Sequence, residues 1–272
     1  MNFDRNYKIV KTDWLPSRGI PYPDDIEIYV APMTIRERRL LEGVSNAEYF
    51  RRLLDGVQIR GNQNFDKHKL LLADAQLIDL IRRIYTFEPD RKIAINNYRC
   101  NHCGQYNVSA SFMFTDLELE DFGEGVFGKD KTFTDNDSGE EITVHTEGKE
   151  YKFADGTTVY ATPMTVEDYV DLATKYISNE NDPNTPNQLT KTYIAQFAYL
   201  IKKIEGREFF DDQGMREYLV EYIGALYKPA DEEVMNAIEV DTTSILKPLK
   251  AKCPDCGKEV EVILNPWLRF QQ

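Results

Sequence analysis

Four cysteines stand in two pairs, Cys100-Asn-His-Cys103-Gly and Cys253-Pro-Asp-Cys256-Gly. Two residues between cysteines let both thiolates converge on one metal ion about 2.3 Å away, and the glycine that follows relieves the tight turn. Each pair supplies half of a tetrahedral set. Together Cys100, Cys103, Cys253 and Cys256 make one closed four-thiolate site for structural Zn2+. A redox CxxC usually begins a helix after a strand, whereas both pairs here lead into extended segments, YNVSASFMF and EVEVILN. Four thiolates leave no open coordination position, so catalytic zinc is not expected. Two arrangements satisfy the spacing: one site closed within a chain, or each pair sharing a metal with a second copy. His102, inside the first pair, reads as a solvent-facing turn residue, because a four-thiolate set needs no further ligand. His68 and His145 have no partnering pattern, and His145 lies in an alternating strand segment.

The pairs lie 153 residues apart, from Cys100 to Cys253, which prompts a search for an internal repeat. Tyr29-Val-Ala-Pro32-Met33-Thr34-Ile35 recurs as Tyr160-Ala-Thr-Pro163-Met164-Thr165-Val166, at an offset of 131. Each copy is preceded by a strand-like run, DIEIYV or TTVY. Each also opens a capping box, Thr34 with Glu37 and Thr165 with Asp168. Further on, Leu77-Ile78, Leu80-Ile81 and Ile84-Tyr85 align with Leu219-Val220, Tyr222-Ile223 and Leu226-Tyr227 at an offset of 142. That spacing is an amphipathic helix, and it makes Tyr85 and Tyr227 equivalent core positions. The growing offsets imply about eleven extra residues on each side of this helix in the second copy, the later insertion being a short helix, ADEEVMNAIEV.

One repeat therefore reads as β-hairpin, helix, second helix, then strand, knuckle and strand. In the second copy Val166, Tyr169, Val170, Ala173, Tyr176 and Ile177 form one helical stripe. Tyr193, Ile194, Phe197, Leu200, Ile201 and Ile204 form another, which Gly206 is placed to end. The expected fold class is α+β, a tandem duplication with pseudo-two-fold character whose zinc-ribbon-like site joins the halves. Residues 1–24 form an N-terminal arm, 25–122 the first repeat and 150–272 the second. Residues 123–149 connect them as a hairpin that draws on the strand-like ITVH and EYKF. The Pro- and Asn-rich stretch 179–188 is a linker.

Composition narrows the function. The 272 residues carry 33 Lys and Arg against 46 Asp and Glu, a net charge of −13. This balance opposes the phosphate contacts that dominate nucleic-acid affinity. Arg36, Arg38 and Arg39, or Arg51 and Arg52, sit among acids and read as a solvated helix face. No run of 18 apolar residues exists, so no membrane span is expected. The start, MNFDRNYKIVKTDW, lacks the apolar core of a secretory signal. There is no GxxxxGK[ST] loop, no GxGxxG after a strand, no GxSxG and no HExxH. The carboxylate groups Glu118/Glu120/Asp121 and Asp211/Asp212 read as solvated charge. Binding or assembly is the stronger class, and 16 tyrosines with 14 phenylalanines suit protein interfaces.

The order APMTIRERRLLEG, amphipathic helix, YRCNHCGQYNVSASFMFTDLELEDF, then TTVYATPMTVEDYVDLATKYI, IKKIEGREFFDDQGMREYLVEYIGAL and KAKCPDCGKEVEVILNPWLRF resembles the T-even-type phage baseplate hub family. The likeness covers roughly 25–122 and 150–270. It implies a non-enzymatic hub subunit or hub-assembly factor of a contractile tail, whose partners are other tail and baseplate hub proteins. Such a protein works in the host cytoplasm during assembly, and two fates fit it: leaving after assembly or staying in the virion tail baseplate. The resemblance brings no catalytic residues. The alternative function is a zinc-ribbon nucleic-acid-binding or regulatory protein.

Overall fold

The fold is described from a computed structural model over residues 7–23, 25–41, 44–61, 65–87, 92–113, 117, 122–128, 130–134, 141–145, 148–177, 188–243 and 247–262. The Glu118/Glu120/Asp121 cluster and most of the 179–188 linker lie outside these residues, and of His145 only the backbone is described.

The first half is organised by the Pro32-Met33-Thr34 turn. Before it, β1 (Lys8–Val10) and β2 (Glu27–Val30) pair antiparallel, Ile9 opposite Tyr29. After it, the Thr34 hydroxyl accepts from the Glu37 amide while the Glu37 carboxylate accepts from the Thr34 amide, at 3.2 and 2.7 Å. This capping box satisfies two otherwise orphaned amides and starts α1 (Ile35–Leu41). Ser45 caps α2 (Asn46–Leu53), which leads into β3 (Val57–Arg60) on the other edge of β2. The amphipathic helix is α3 (Leu72–Phe87), and it buries Leu77, Ile78, Leu80, Ile81 and Ile84 as its spacing requires. A long ribbon follows, β4 (Lys92–Arg99) with β5 (Tyr106–Met113).

Of residues 1–24, read as an arm, the described residues 7–23 contribute to this half. β1 is a sheet strand, and Leu15, Ser17 and Tyr22 are buried. Asp74 of α3 holds this segment: it accepts from the Ser17 amide (3.0 Å), from the Ser17 hydroxyl (2.6 Å) and from the Tyr22 hydroxyl.

Between the halves, β6 (Asp130–Thr134) pairs with β7 (Glu141–His145). The expected strand ITVH is therefore paired within the connector. EYKF is not its partner, for it lies largely in β8 (Lys149–Lys152), which pairs with β9 (Thr158–Ala161). Thr165 and Asp168 form the second capping box and start α4 (Val166–Leu172), which continues into a π-helical turn over Ala173–Ile177.

The second stripe departs from its sequence reading. Helix α5 (Gln188–Leu200) stops at Leu200, and Ile201–Ile204 is β10, antiparallel to β9. Ile201 and Ile204 are buried. Two main-chain bonds, Thr162 N to Leu200 O (3.0 Å) and Glu205 N to Thr158 O (2.9 Å), bracket the pairing. An open edge of β9 takes β-branched residues that helical spacing alone also accommodates. Gly206, with φ of +71°, turns the chain after that strand and not after a helix.

Helix α6 (Asp212–Gly224) begins at Asp211, whose carboxylate accepts from the Gly214 amide at 2.8 Å, so this acid has a capping role. The inserted helix is α7 (Pro229–Thr242), with proline in its first turn. The last ribbon is β11 (Leu249–Lys252) with β12 (Glu259–Val262). Tyr227 lies beyond the end of α6 and is 85% exposed, whereas Tyr85 is half-buried, so the two are not equivalent core positions.

The fold is mixed α and β, with small antiparallel sheets. In each half two helices connect the central strand of a three-stranded sheet to an edge strand, between β2 and β3 and between β9 and β10. The bodies meet head to tail. Leu72 donates its amide to Met164 O (2.8 Å), Val166 donates to Leu70 O (2.9 Å), and α2 packs on α4 with Phe50 and Tyr169 edge to face at 5.2 Å. A two-fold arrangement would set α1 against α5 as α2 is set against α4, and no comparable packing joins them among the described residues. The expected pseudo-two-fold relation therefore does not extend to the two bodies. No helix among the described residues is long and apolar enough to cross a membrane.

Candidate metal centre

Both knuckles are turns between the strands of a ribbon, and both use one backbone solution. Cys100 N bonds Gln105 O at 2.8 Å and Gly104 N bonds Cys100 O at 2.9 Å. Cys253 N bonds Lys258 O at 2.9 Å and Gly257 N bonds Cys253 O at 3.0 Å. Gly104 and Gly257 have φ of +77° and +69°, and a Cβ at either would meet nothing within 4 Å. Glycine is needed there for its backbone angle, not for space.

The first ribbon reaches the knuckle through an irregularity. Its register shifts between Ile95 and Arg99, and Asn97 sits at φ of +58°. Such an irregularity bends a strand. The apolar faces of the ribbons, Val108 and Phe112 on one and Ala251, Val260 and Val262 on the other, are buried, and β11 packs against β5. That packing brings the two knuckles together.

The four sulfur atoms lie within 4.8 Å of one another. Cys100 Sγ is 3.7 Å from Cys256 Sγ, and Cys103 Sγ is 3.7 Å from Cys253 Sγ. A disulfide needs about 2 Å, so these are four free thiols. A tetrahedron with metal–sulfur bonds of about 2.3 Å has edges of roughly 3.8 Å. The spacing therefore suits a tetrahedral ion held by soft ligands, and the donor set fits such an ion. Cys100 and Cys253 are buried, while Cys103 and Cys256 are exposed, so the cluster has an inner and an outer edge. Burial pushes the Cys100 thiol up, but the amides of Cys103 and His102 and the neighbouring thiols of Cys103 and Cys253 bring it down, while the neighbouring thiols push Cys103 and Cys256 up. The first thiolate to form thus opposes the next, and a cation among the four sulfurs would offset that repulsion.

All four cysteines named from the sequence thus converge. His102 is exposed, as expected of a turn residue, yet its Nε2 lies 3.0 Å from Glu259 O in the other ribbon. Sequence reading missed Asn107, which donates from Nδ2 to the Asp255 carboxylate and whose Oδ1 lies 3.7 Å from Cys253 Sγ. Its partners lie 148 and 146 residues away in the sequence, so no local pattern marks it.

No protein-family model matches the chain, and neither a curated protein nor a solved structure matches it.

Proposed function

We propose that the chain is a non-enzymatic scaffold for protein–protein contact, stabilised by one structural Zn2+ held by Cys100, Cys103, Cys253 and Cys256. We further propose that it serves as a hub subunit or hub-assembly factor of a contractile phage tail. The observation that carries the first part is the convergence of four thiols from knuckles in opposite halves of the chain. Zinc bound there ties two segments far apart in sequence, and structural zinc contributes on the order of 10 kcal/mol in small peptides. Its role in this reading is to fix how one half docks on the other.

Tandem duplication belongs to the same proposal. It is supported by the recurring Pro-Met-Thr turn, by the two capping boxes, and by sheets whose edge strands return after a pair of helices. The tail assignment rests on the resemblance of the segments quoted above. The acidic balance of −13 suits a protein partner better than a nucleic acid.

Co-expression of the tagged chain with the hub and tail proteins of a contractile-tailed phage tests the assignment. A stable complex surviving size exclusion is expected. A chain that elutes alone with every hub protein removes the tail assignment and leaves the zinc scaffold. Retardation of DNA or RNA that weakens steeply with salt would favour the nucleic-acid-binding alternative instead.

A further inference from the structure

The two knuckles share a backbone and four thiols, and they differ in the residue before the second cysteine: His102 in one, Asp255 in the other. Each of these residues reaches across to the strand that follows the opposite knuckle. His102 Nε2 meets the Glu259 carbonyl at the start of β12, and the Asp255 carboxylate accepts from the Asn107 side chain at the start of β5. The reaches are reciprocal in place and unlike in chemistry, one made to main chain and the other to a side chain. Asn107 also sits beside Cys253 Sγ, so the second contact continues to a ligand sulfur.

We infer that Asn107, Asp255 and His102 form a clasp that selects the pairing of unlike knuckles over like ones and positions the four thiols before metal arrives. The argument concerns what each alternative pairing would leave unmatched. Asn107 is the extra residue of a bulge, between Tyr106 and Val108, which face Arg99 and Tyr98, and the regular second ribbon, where Glu259 and Val260 face Lys252 and Ala251, has no counterpart to it. Two copies of the second knuckle joined to each other would each set Asp255 against a ribbon that lacks this residue, and the carboxylate would lose its amide donor. Two copies of the first knuckle would set His102 against Asn107 and lose the carboxylate. Only the mixed pair gives Asp255 its donor. Joining like knuckles between two chains creates one of each like pair and loses this contact, so those sites are opposed, whereas a reciprocal exchange of unlike knuckles keeps it. Specificity of this kind comes from what the wrong partner leaves unpaired.

The clasp rests on the zinc reading for its effect on affinity, but not for its effect on geometry. Asn107, Asp255 and His102 are positioning residues and contact no metal. Neighbours that orient metal ligands typically change affinity by about 10- to 100-fold when removed. The contacts are solvent-accessible, so the lower end applies.

The test compares the full chain with Asn107→Val, with Asp255→Asn, and with the exchanged double variant N107D/D255N, which restores a carboxylate–amide bond with its ends reversed. Zinc affinity is read by chelator competition, and thiol accessibility of the metal-free protein by its rate with a disulfide reagent. Asn107→Val is expected to bind zinc about tenfold more weakly, to expose its thiols faster, and to form zinc-linked dimers at high concentration. The exchanged variant should regain affinity and slow thiol modification relative to each single variant. Equal affinity and equal thiol rates across all four proteins would overturn the clasp. Absence of zinc from the unaltered chain would overturn the metal reading, and the metal-free thiol rates would still decide the clasp.

Discussion

Arg82 is 1% exposed and places its guanidinium 3.1 Å from the carboxylate of Glu37, the residue that also closes the capping box of α1. Its remaining donors reach Ala31 O (2.8 Å) and Leu53 O (3.4 Å), so one side chain of α3 gathers the Pro32 turn and the end of α2. The second half answers the same need from other addresses. Asp168, the capping acid of α4, is held by Arg216 at 2.8 Å and by Lys202 at 2.6 Å. In both halves a cation from a later element fixes the helix start that follows the turn.

Removing Arg82 takes one donor from each of two carbonyls and from the Glu37 carboxylate, which keeps its bonds from Thr34. Arg82→Met is expected to cost about 3 kcal/mol, read as a lower denaturation midpoint in urea with the slope unchanged. A loss under 1 kcal/mol would show the buried pair to be neutral.

Stability should respond to pH through Asp74. Burial pushes its carboxyl up to about 6 from 3.8, despite the hydrogen bonds from Ser17 and Tyr22. Between those values the folded state binds more protons than the unfolded one, so this residue's contribution rises as pH falls from 7 toward 4. Asp168 acts with the opposite sign in a lower window. Burial raises it, but Lys202 and Thr165 bring it below the ordinary value, and that contribution is lost only as pH falls through the usual carboxylate range. The chain should therefore gain on the order of 2 kcal/mol over its Asp74→Asn variant between pH 7.5 and pH 4.5. Parallel stability curves for the two proteins would refute this.

The contact between the bodies is tested at Tyr169, buried in α4 and edge to face with Phe50 of α2. Tyr169→Ala should cost about 3 kcal/mol and split the unfolding transition as the halves lose their cooperative seam. A single, unshifted transition would place the seam elsewhere.

Tyr85 and Tyr227 align in the sequence but differ in place. Tyr85 is half-buried with Lys8 Nζ 4.3 Å from its ring centroid, and Tyr227 is 85% exposed. Tyr85→Ala is expected to cost about 2 kcal/mol, and Tyr227→Ala less than about 0.5 kcal/mol. Equal midpoints for the two variants would contradict the placement.

Local chemistry was legible in the sequence and docking was not. The capping boxes at Thr34 and Thr165 and the glycines after Cys103 and Cys256 announce themselves, because each serves backbone groups within a few residues. Ile201 and Ile204 misled, since their spacing fits a continuing helix as well as a short buried strand, and the open edge of β9 decided. Arg82 was invisible because an arginine is ordinarily a surface residue until its partners are known. The head-to-tail seam of Leu70–Leu72 with Met164–Val166 is main chain to main chain and leaves no residue signature. The cysteine spacing implied convergence, whereas Asn107 could be found only once the opposite knuckle was beside it.

The central claim is one four-thiolate zinc site closed within a single chain, and the direct measurement is zinc content together with molar mass in solution. Elemental analysis should give one zinc per chain on a particle whose light scattering matches a monomer of 31.6 kDa, and Cys253→Ser should lose that zinc. A monomer without zinc whose four thiols all react freely would contradict the account, as would zinc found only in a dimer.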